Sequence, residues 1–292
     1  MNQNLLLKLS YAHFSTRDIY KLLLQFHLSL DDELEIHNFF GDAPEDIPFQ
    51  WKKKYQRFQT INIDHIRRNL ELDHIHVLSI EDQLYPENLR EIYDAPLLLF
   101  VKGNLDCLKG LSQRGLSIVG SRNATEYTRR ALDVICPEFK TLNLVIVSGL
   151  AKGADACAHE MALKHQLNTV GVLGFGHQMH YPKETLDMRH WIETYHCTIS
   201  EYPPFTKIAK FRFPERNRII SGVSNGVLVT EANQQSGALI TIDQALDQNR
   251  NVYVLPGSMF NDLTKGNMKR AKEGAKIVTE ASDILEDYLT IS

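Results

Sequence analysis

From residue 75 onward, short runs of consecutive apolar residues alternate with stretches of helical periodicity, and this constrains the fold more than anything else in the chain. The runs are IHVLSI (75–80), LLLFVKG (97–103), LSIVGSR (116–122), LVIVSG (144–149), TVGVLG (169–174), CTISEY (197–202), GVLVTEA (226–232), NVYVLPG (251–257) and KIVT (276–279). The later runs are apolar on successive residues, as expected of strands buried on both faces. The spacing predicts helices between them, for example over 125–140 and 238–247. Strand–helix alternation predicts an α/β fold, a doubly wound, mostly parallel sheet with right-handed crossovers. The 292 residues suggest about two domains. With 43% hydrophobic and 23% charged residues, the chain is neither disordered nor collagenous.

Residues 1–72 follow a different grammar and read as a small all-helical module, with the doubly wound sheet domain over 73–292. Leu5, Leu6 and Leu9, then Ile19, Leu22, Leu23 and Phe26, fall at helical spacing. Ser15 and Asp18 form a capping-box pattern that starts a helix near Thr16. GDAPEDIP (41–48) is an acidic, breaker-rich connection. One helix is predicted from Trp51 to about Leu70, carrying Lys52, Lys53, Lys54, Arg57, Arg67 and Arg68. Such a basic face suits DNA, and a solvated outer face has the same composition.

Several function classes are set aside early. The cysteines Cys107, Cys136, Cys157 and Cys197 lie far apart, without CxxC or zinc-finger spacing, which fits a reducing compartment. No apolar run approaches the ~18–20 residues that span a bilayer, and the amino terminus lacks a signal-peptide pattern, so a cytoplasmic protein without membrane insertion is expected. A net charge of −4 gives no bulk attraction to nucleic acid, so any such binding needs a local patch.

Ligands of an open parallel sheet bind beyond the carboxyl ends of its strands. Those ends carry glycine-opened loops, GSRNAT (120–125), SGLAKGAD (148–155), GFGHQMHYPK (174–183) and TEANQQSGALIT (230–241) among them. Glycines allow close backbone approach, and helix starts favour anions. The first turn is not G-x-G-x-x-G, the second strand ends in Ser148-Gly149 rather than an acid, and no Walker motif exists, so nicotinamide and ATP chemistry are not indicated. Arg122 stands where a pyrophosphate turn would be, and a guanidinium grips phosphate through a fork of hydrogen bonds.

The segment FTKIAKFRFPERNRII (205–220) places Lys207, Lys210, Arg212, Arg216 and Arg218 against the single acid Glu215, with Phe205, Phe211 and Phe213 interleaved. Cations that track phosphates and rings that stack on bases suit single-stranded nucleic acid. Pro214 is read as a helix start, putting Glu215 to Arg218 in a first turn. Asp155 and His159, four apart on a helix, read as a helix-start acid and a core histidine rather than a metal pair. Ser148 lacks the G-x-S-x-G context of a nucleophile. Glu231, near Ser236, Gly237 and Thr241, is the best catalytic candidate, and nothing in the sequence demands catalysis.

The ordered set VGSR (119–122), SGLAKGADACAH (148–159), YPK (181–183), SEYPP (200–204), FPERNRIISG (213–222), EANQQSGALIT (231–241) and PGS (256–258) resembles the DprA/Smf family of bacterial DNA-processing proteins over about residues 75–285. The resemblance implies an extended Rossmann-like fold over 73–292 after a small SAM-like helical module over 1–72, sequence-independent binding of single-stranded DNA, homodimerisation, and loading of the RecA recombinase onto incoming strands in natural transformation. It implies no enzyme activity, no cofactor and no metal. The DNA pocket it implies uses Arg122, Lys183, Gly174, Gly176, Arg216 and Arg218, together with Gly120, Ser121, Arg212 and Asn217 beside them. Two departures stand out: Thr185 where the family usually has asparagine, and Arg270 and Ala271 where it often has an apolar pair. The alternative is a Rossmann-like nucleotide phosphoribohydrolase acting through Glu231, although TEANQQSGALIT lacks the doubled glycine of those enzymes.

Overall fold

In the computed structural model, residues 1–42 and 47–290 are described, so the centre of the predicted acidic connection lies outside the described residues. All nine apolar runs form strands: β1 (Ile75–Ser79), β2 (Leu98–Gly103), β3 (Gly115–Val119), β4 (Val145–Ser148), β5 (Asn168–Val172), β6 (Cys197–Ser200), β7 (Gly226–Val229), β8 (Asn251–Val254) and β9 (Lys276–Ile277). They make one sheet in the order β1-β2-β6-β5-β4-β3-β7-β8-β9. Every pairing from β6 through to β9 is parallel. β1 and β2 are antiparallel to their neighbours. The strands stop one to three residues before most of the apolar runs do, which leaves residues such as Gly120 and Arg122 in loops.

Both sheet faces are covered, which is why the strands read as continuous apolar runs. Val145 and Val147 enter one core while Ile146, pointing the other way, enters the second. The helices supplying those cores include α8 (Glu126–Ile135), α9 (Ala154–Lys164), α10 (Leu186–Tyr195), α11 (Arg212–Gly222), α12 (Ala238–Asp247), α13 (Lys265–Lys272) and α14 (Ser282–Leu289). The single-turn helices α6 (Glu87–Arg90) and α7 (Leu111–Arg114) precede them. The helix expected over 125–140 ends at Ile135 and tightens into a 3-10 turn, Cys136–Leu142. Helix α11 begins two residues before Pro214, so Arg216 lies past the first turn.

Five helices precede the sheet: α1 (Gln3–Tyr11), α2 (Thr16–Leu24), α3 (Glu33–Gly41), α4 (Phe49–Thr60) and α5 (Ile63–Leu72). The Ser15–Asp18 capping box opens α2. The single helix expected from Trp51 to Leu70 is instead two, because Asn62 caps α5 by accepting from the His65 N–H. Their shared core centres on buried Trp51, ringed by Phe14, Phe26 and Phe40, and runs on into Leu98 and Phe100 of β2. Asp18 ties the module together, accepting from Trp51 Nε1 at 2.9 Å and from Lys54 at 2.6 Å.

Candidate nucleic-acid interface

Strand β3 lies between β4 and β7, so the chain order reverses there and the loops after β3 and β7 diverge around a crevice. Three loops lock against one another to shape it. The Ser121 N–H donates to Glu231 O at 2.6 Å, and the Ala154 N–H donates to Ser121 O at 3.0 Å. Gly153 holds φ +73°, and a Cβ there would sit 2.4 Å from Ser121 O, so only glycine fits. The fully buried Glu231 carboxylate accepts from the Thr125 N–H at 2.7 Å, Thr125 Oγ1 at 2.9 Å and Thr128 Oγ1 at 2.8 Å. Its oxygens are thereby occupied in fixing the loop after β3 at the start of α8.

The resulting groove has a volume of about 780 Å³ and is lined by Gly120, Ser121, Arg122, Asn217, Arg216 and Lys210, with the start of α12 opposite. Arg122 is exposed and makes no salt bridge among the described residues. Its guanidinium stands 5.6 Å from the centre of the Phe213 ring, which is flanked by Tyr181 at 5.7 Å and Phe175 at 6.5 Å. Lys210 is also exposed and unpaired among the described residues. An open guanidinium, an ammonium and a ring face thus border one concavity. Phosphate and stacked bases ask for that combination.

Arg216 lies beneath them, only 4% exposed. Its Nη1 donates to Gly149 O at 2.7 Å and to Val172 O at 2.5 Å. Burial lowers its pKa, opposed by the charge of Asp155. Burial likewise raises the Asp155 carboxyl, with Arg216 pulling the other way. The two form a buried charge couple under the groove floor, and Asp155 also accepts from the Ala151 N–H. His159 does not join it. Its Nδ1 pairs with Thr169 Oγ1 at 2.7 Å in the core, and burial pushes its pKa down to about 3. Ser148 Oγ donates to Ile118 O at 2.6 Å and is fully buried. No cluster of potential metal ligands occurs among the described residues.

The remaining residues assigned from the sequence are dispersed. Arg218 points to the far side of α11, ion-paired to Asp94 at 3.2 Å and to Glu201, so its charge is neutralised away from the groove. Arg212 lines a different cavity, with its guanidinium against the rings of Tyr202 and Phe211. Gly174 and Gly176 are buried packing positions. A Cβ on Gly174 would meet Phe213 at 3.2 Å, and one on Gly176 would meet Pro203 O at 2.1 Å. Lys183 is exposed beside the Tyr181–Pro182 wall of a smaller side pocket, outside the main groove. Thr185, which departs from the family pattern, donates to Leu150 O at 3.0 Å and to Pro182 O at 3.2 Å, and so ties that wall to the loop after β4. Arg270 is engaged by Asp243 and Glu273.

Phe213, one of the three interleaved rings read from the sequence as suited to stacking, borders the groove, and so do Ile208 and Ile240, which the sequence reading did not single out. The aromatic spacing of KFRF was the available signal for Phe213. Ile240 carried none, since it reads as an ordinary residue of an apolar helix.

A family model described as DNA recombination-mediator protein A matches residues 76–289. The DNA processing protein DprA of Streptococcus pneumoniae is 37% identical over 281 residues, covering 96% of this chain and 96% of that protein. A crystal structure of DprA from the same species superposes with a TM-score of 0.83 at 36% identity, over 98% of both chains. A structure of DNA processing protein A from Helicobacter pylori, described in terms of a single-stranded DNA binding mode, shares the fold at a TM-score of 0.65 and 23% identity, over 74% of this chain and 96% of that one. Matches of this extent settle the lineage: the chain belongs to the DprA/Smf family of DNA recombination-mediator proteins.

Proposed function

We propose that the protein binds single-stranded DNA without base preference in the groove beside β3, and loads RecA onto that strand during transformation. The observation that carries the binding reading is Arg122, an exposed guanidinium without a carboxylate partner, set over the Phe213 ring at the carboxyl edge of the sheet. Guanidinium, ammonium and ring faces engage backbone and stacked bases of any sequence, so contacts of this kind carry affinity without readout. The relatives named for DNA processing, and the Helicobacter pylori protein described as binding single strands, support the same reading. RecA loading, homodimerisation and a cytoplasmic location are supported by family membership. No helix among the described residues is long and apolar enough to cross a membrane.

The test is fluorescence anisotropy with single- and double-stranded oligonucleotides over a salt series. If each protomer neutralises roughly 3–5 phosphates, log K for the single strand falls against log salt with a slope of about −2 to −3.5. A flat response, or preference for duplex, overturns the reading. The phosphoribohydrolase alternative is the less supported, since three hydrogen bonds from Thr125 and Thr128 hold the buried Glu231 carboxylate in a structural role. Release of free base from nucleoside monophosphates would reinstate it.

A further inference from the structure

Helix α4 carries Lys52, Lys53, Lys54 and Arg57 and not one acid. Only Lys54 is paired, to Asp18 at 2.6 Å; Lys52, Lys53 and Arg57 are exposed with no salt bridge among the described residues. Lys53 and Arg57 stand one turn apart on the same face, where like charges weaken a helix by a few tenths of a kcal/mol. Among the described residues, no carboxylate pairs with either of them.

The basic face is not remote from the sheet domain. His13 occupies the turn between α1 and α2 with φ +69°. Burial lowers the pKa of its ring, and the charges of Arg57, Lys54 and Arg212 lower it further; Lys54 of α4 stands 5.5 Å from the centre of the neighbouring Phe14 ring. A cavity of about 210 Å³ opens at the same place, lined by His13, Ser15 and Thr16 from the module and by Phe211 and Arg212 from the sheet domain. Arg212 has no salt bridge among the described residues, and its guanidinium lies 5.1 Å from the Phe211 ring and 5.3 Å from Tyr202. The cation-on-ring arrangement of Arg122 and Phe213 is thus repeated on the outer side of the same segment.

We propose that the amino-terminal helices form the second half of the strand-binding surface: a single strand leaving the groove passes Arg212 and Phe211 and lays its phosphates along the Lys53–Arg57 face of α4. The ligand is the continuing phosphodiester backbone, recognised by charge and stacking and not by base edges. The inference rests on the single-strand reading of the groove and assigns to the module a share of the affinity for long strands.

The experiment compares full-length wild type with K53E/R57E on labelled oligothymidylates of about 5 and about 25 nucleotides, lengths that bracket one binding site. The variant is expected to bind the long strand about 10-fold more weakly, with a salt slope shallower by about 1.4, since each single-strand phosphate contact contributes about 0.7. Binding of the short strand is expected to stay at the wild-type level. Wild-type affinity and slope on the long strand overturn the proposal, and so does equal loss on both lengths. The neutral variant K53Q/R57Q, with its thermal melt, separates a charge effect from unfolding. R122A is run in parallel: if it binds both lengths as wild type does, the groove reading fails, whatever the α4 variants do.

Discussion

Replacement of Arg122 by alanine tests the groove most directly, because its structural and binding consequences separate cleanly. On the structural side Arg122 has one recognised contact, the Phe213 ring at 5.6 Å. An exposed cation–π contact contributes ~0.5–1 kcal/mol, and in a chain of this size that lowers the melting temperature by no more than about 4 °C. Its repulsion with Arg216 and its attraction to Asp155 are removed together and oppose one another. On the binding side, a charge-assisted hydrogen bond to phosphate is worth ~1.5–3 kcal/mol, so R122A binds single strands about 10- to 150-fold more weakly at fixed salt. Losing one phosphate contact also makes the log–log salt slope shallower by about 0.7. Anisotropy titrations over a salt series, with a thermal melt on the same samples, read all of these. Wild-type affinity and slope in R122A would refute the assignment of the groove. A large fall in melting temperature would show that Arg122 holds the fold and not the strand.

Two further outcomes follow from buried groups. Glu231→Gln removes an acceptor that serves both Thr125 and Thr128, so urea denaturation should show about 2 kcal/mol lost and strand affinity should fall with the loosened β3 loop; unchanged stability would mean the loop does not depend on this carboxylate. The second concerns pH. Burial pushes the pKa of His159 and of His177 down to about 3, so between pH 3 and 6.5 the unfolded chain binds protons that the folded chain excludes. Their contribution is therefore complete above about pH 6.5 and is lost as pH falls. Urea midpoints should decline from pH 7.5 to 5, and less steeply in His159→Gln; parallel curves for the two proteins would rule the mechanism out.

The sheet was legible in the sequence because parallel strands covered on both faces leave continuous apolar runs, and β3, β4 and β7 are buried at every position. Their ends were less legible, since an apolar pattern does not register where pairing stops. The break between α4 and α5 was missed because Asn62 lies inside an otherwise helical rhythm and acts only through its side-chain cap. Site residues fared unevenly for a related reason. Arg122 belongs to a strand-end turn whose position follows from topology, so local pattern was enough. Arg216 and Arg218 are two residues apart in one basic segment, yet the helical turn sends one under the groove and the other to Asp94 and Glu201 on the opposite side. Composition registers the cluster, and only the helix phase sorts its members. Glu231 and Thr125 meet across more than a hundred positions of chain, a pairing that no window of sequence contains.

On the proposed reading, the pair of arginines at the groove divides the work of binding a polyanion. A buried guanidinium is costly unless it is answered, and here Nη1 of Arg216 donates to the carbonyls of Gly149 and Val172 while the nearby charge of Asp155 opposes the cost of burying the charge. Held there, with Asp155 answering its charge, it cannot follow a ligand, and its part is to fix the groove floor. Arg122, exposed and resting on Phe213, makes the opposite trade: it is free to reach phosphate and is screened by salt when nothing is bound. On the proposed reading the attraction is therefore carried by the exposed charge and falls as ionic strength rises, while the geometry of each contact is left to side chains that adapt to whichever base comes next.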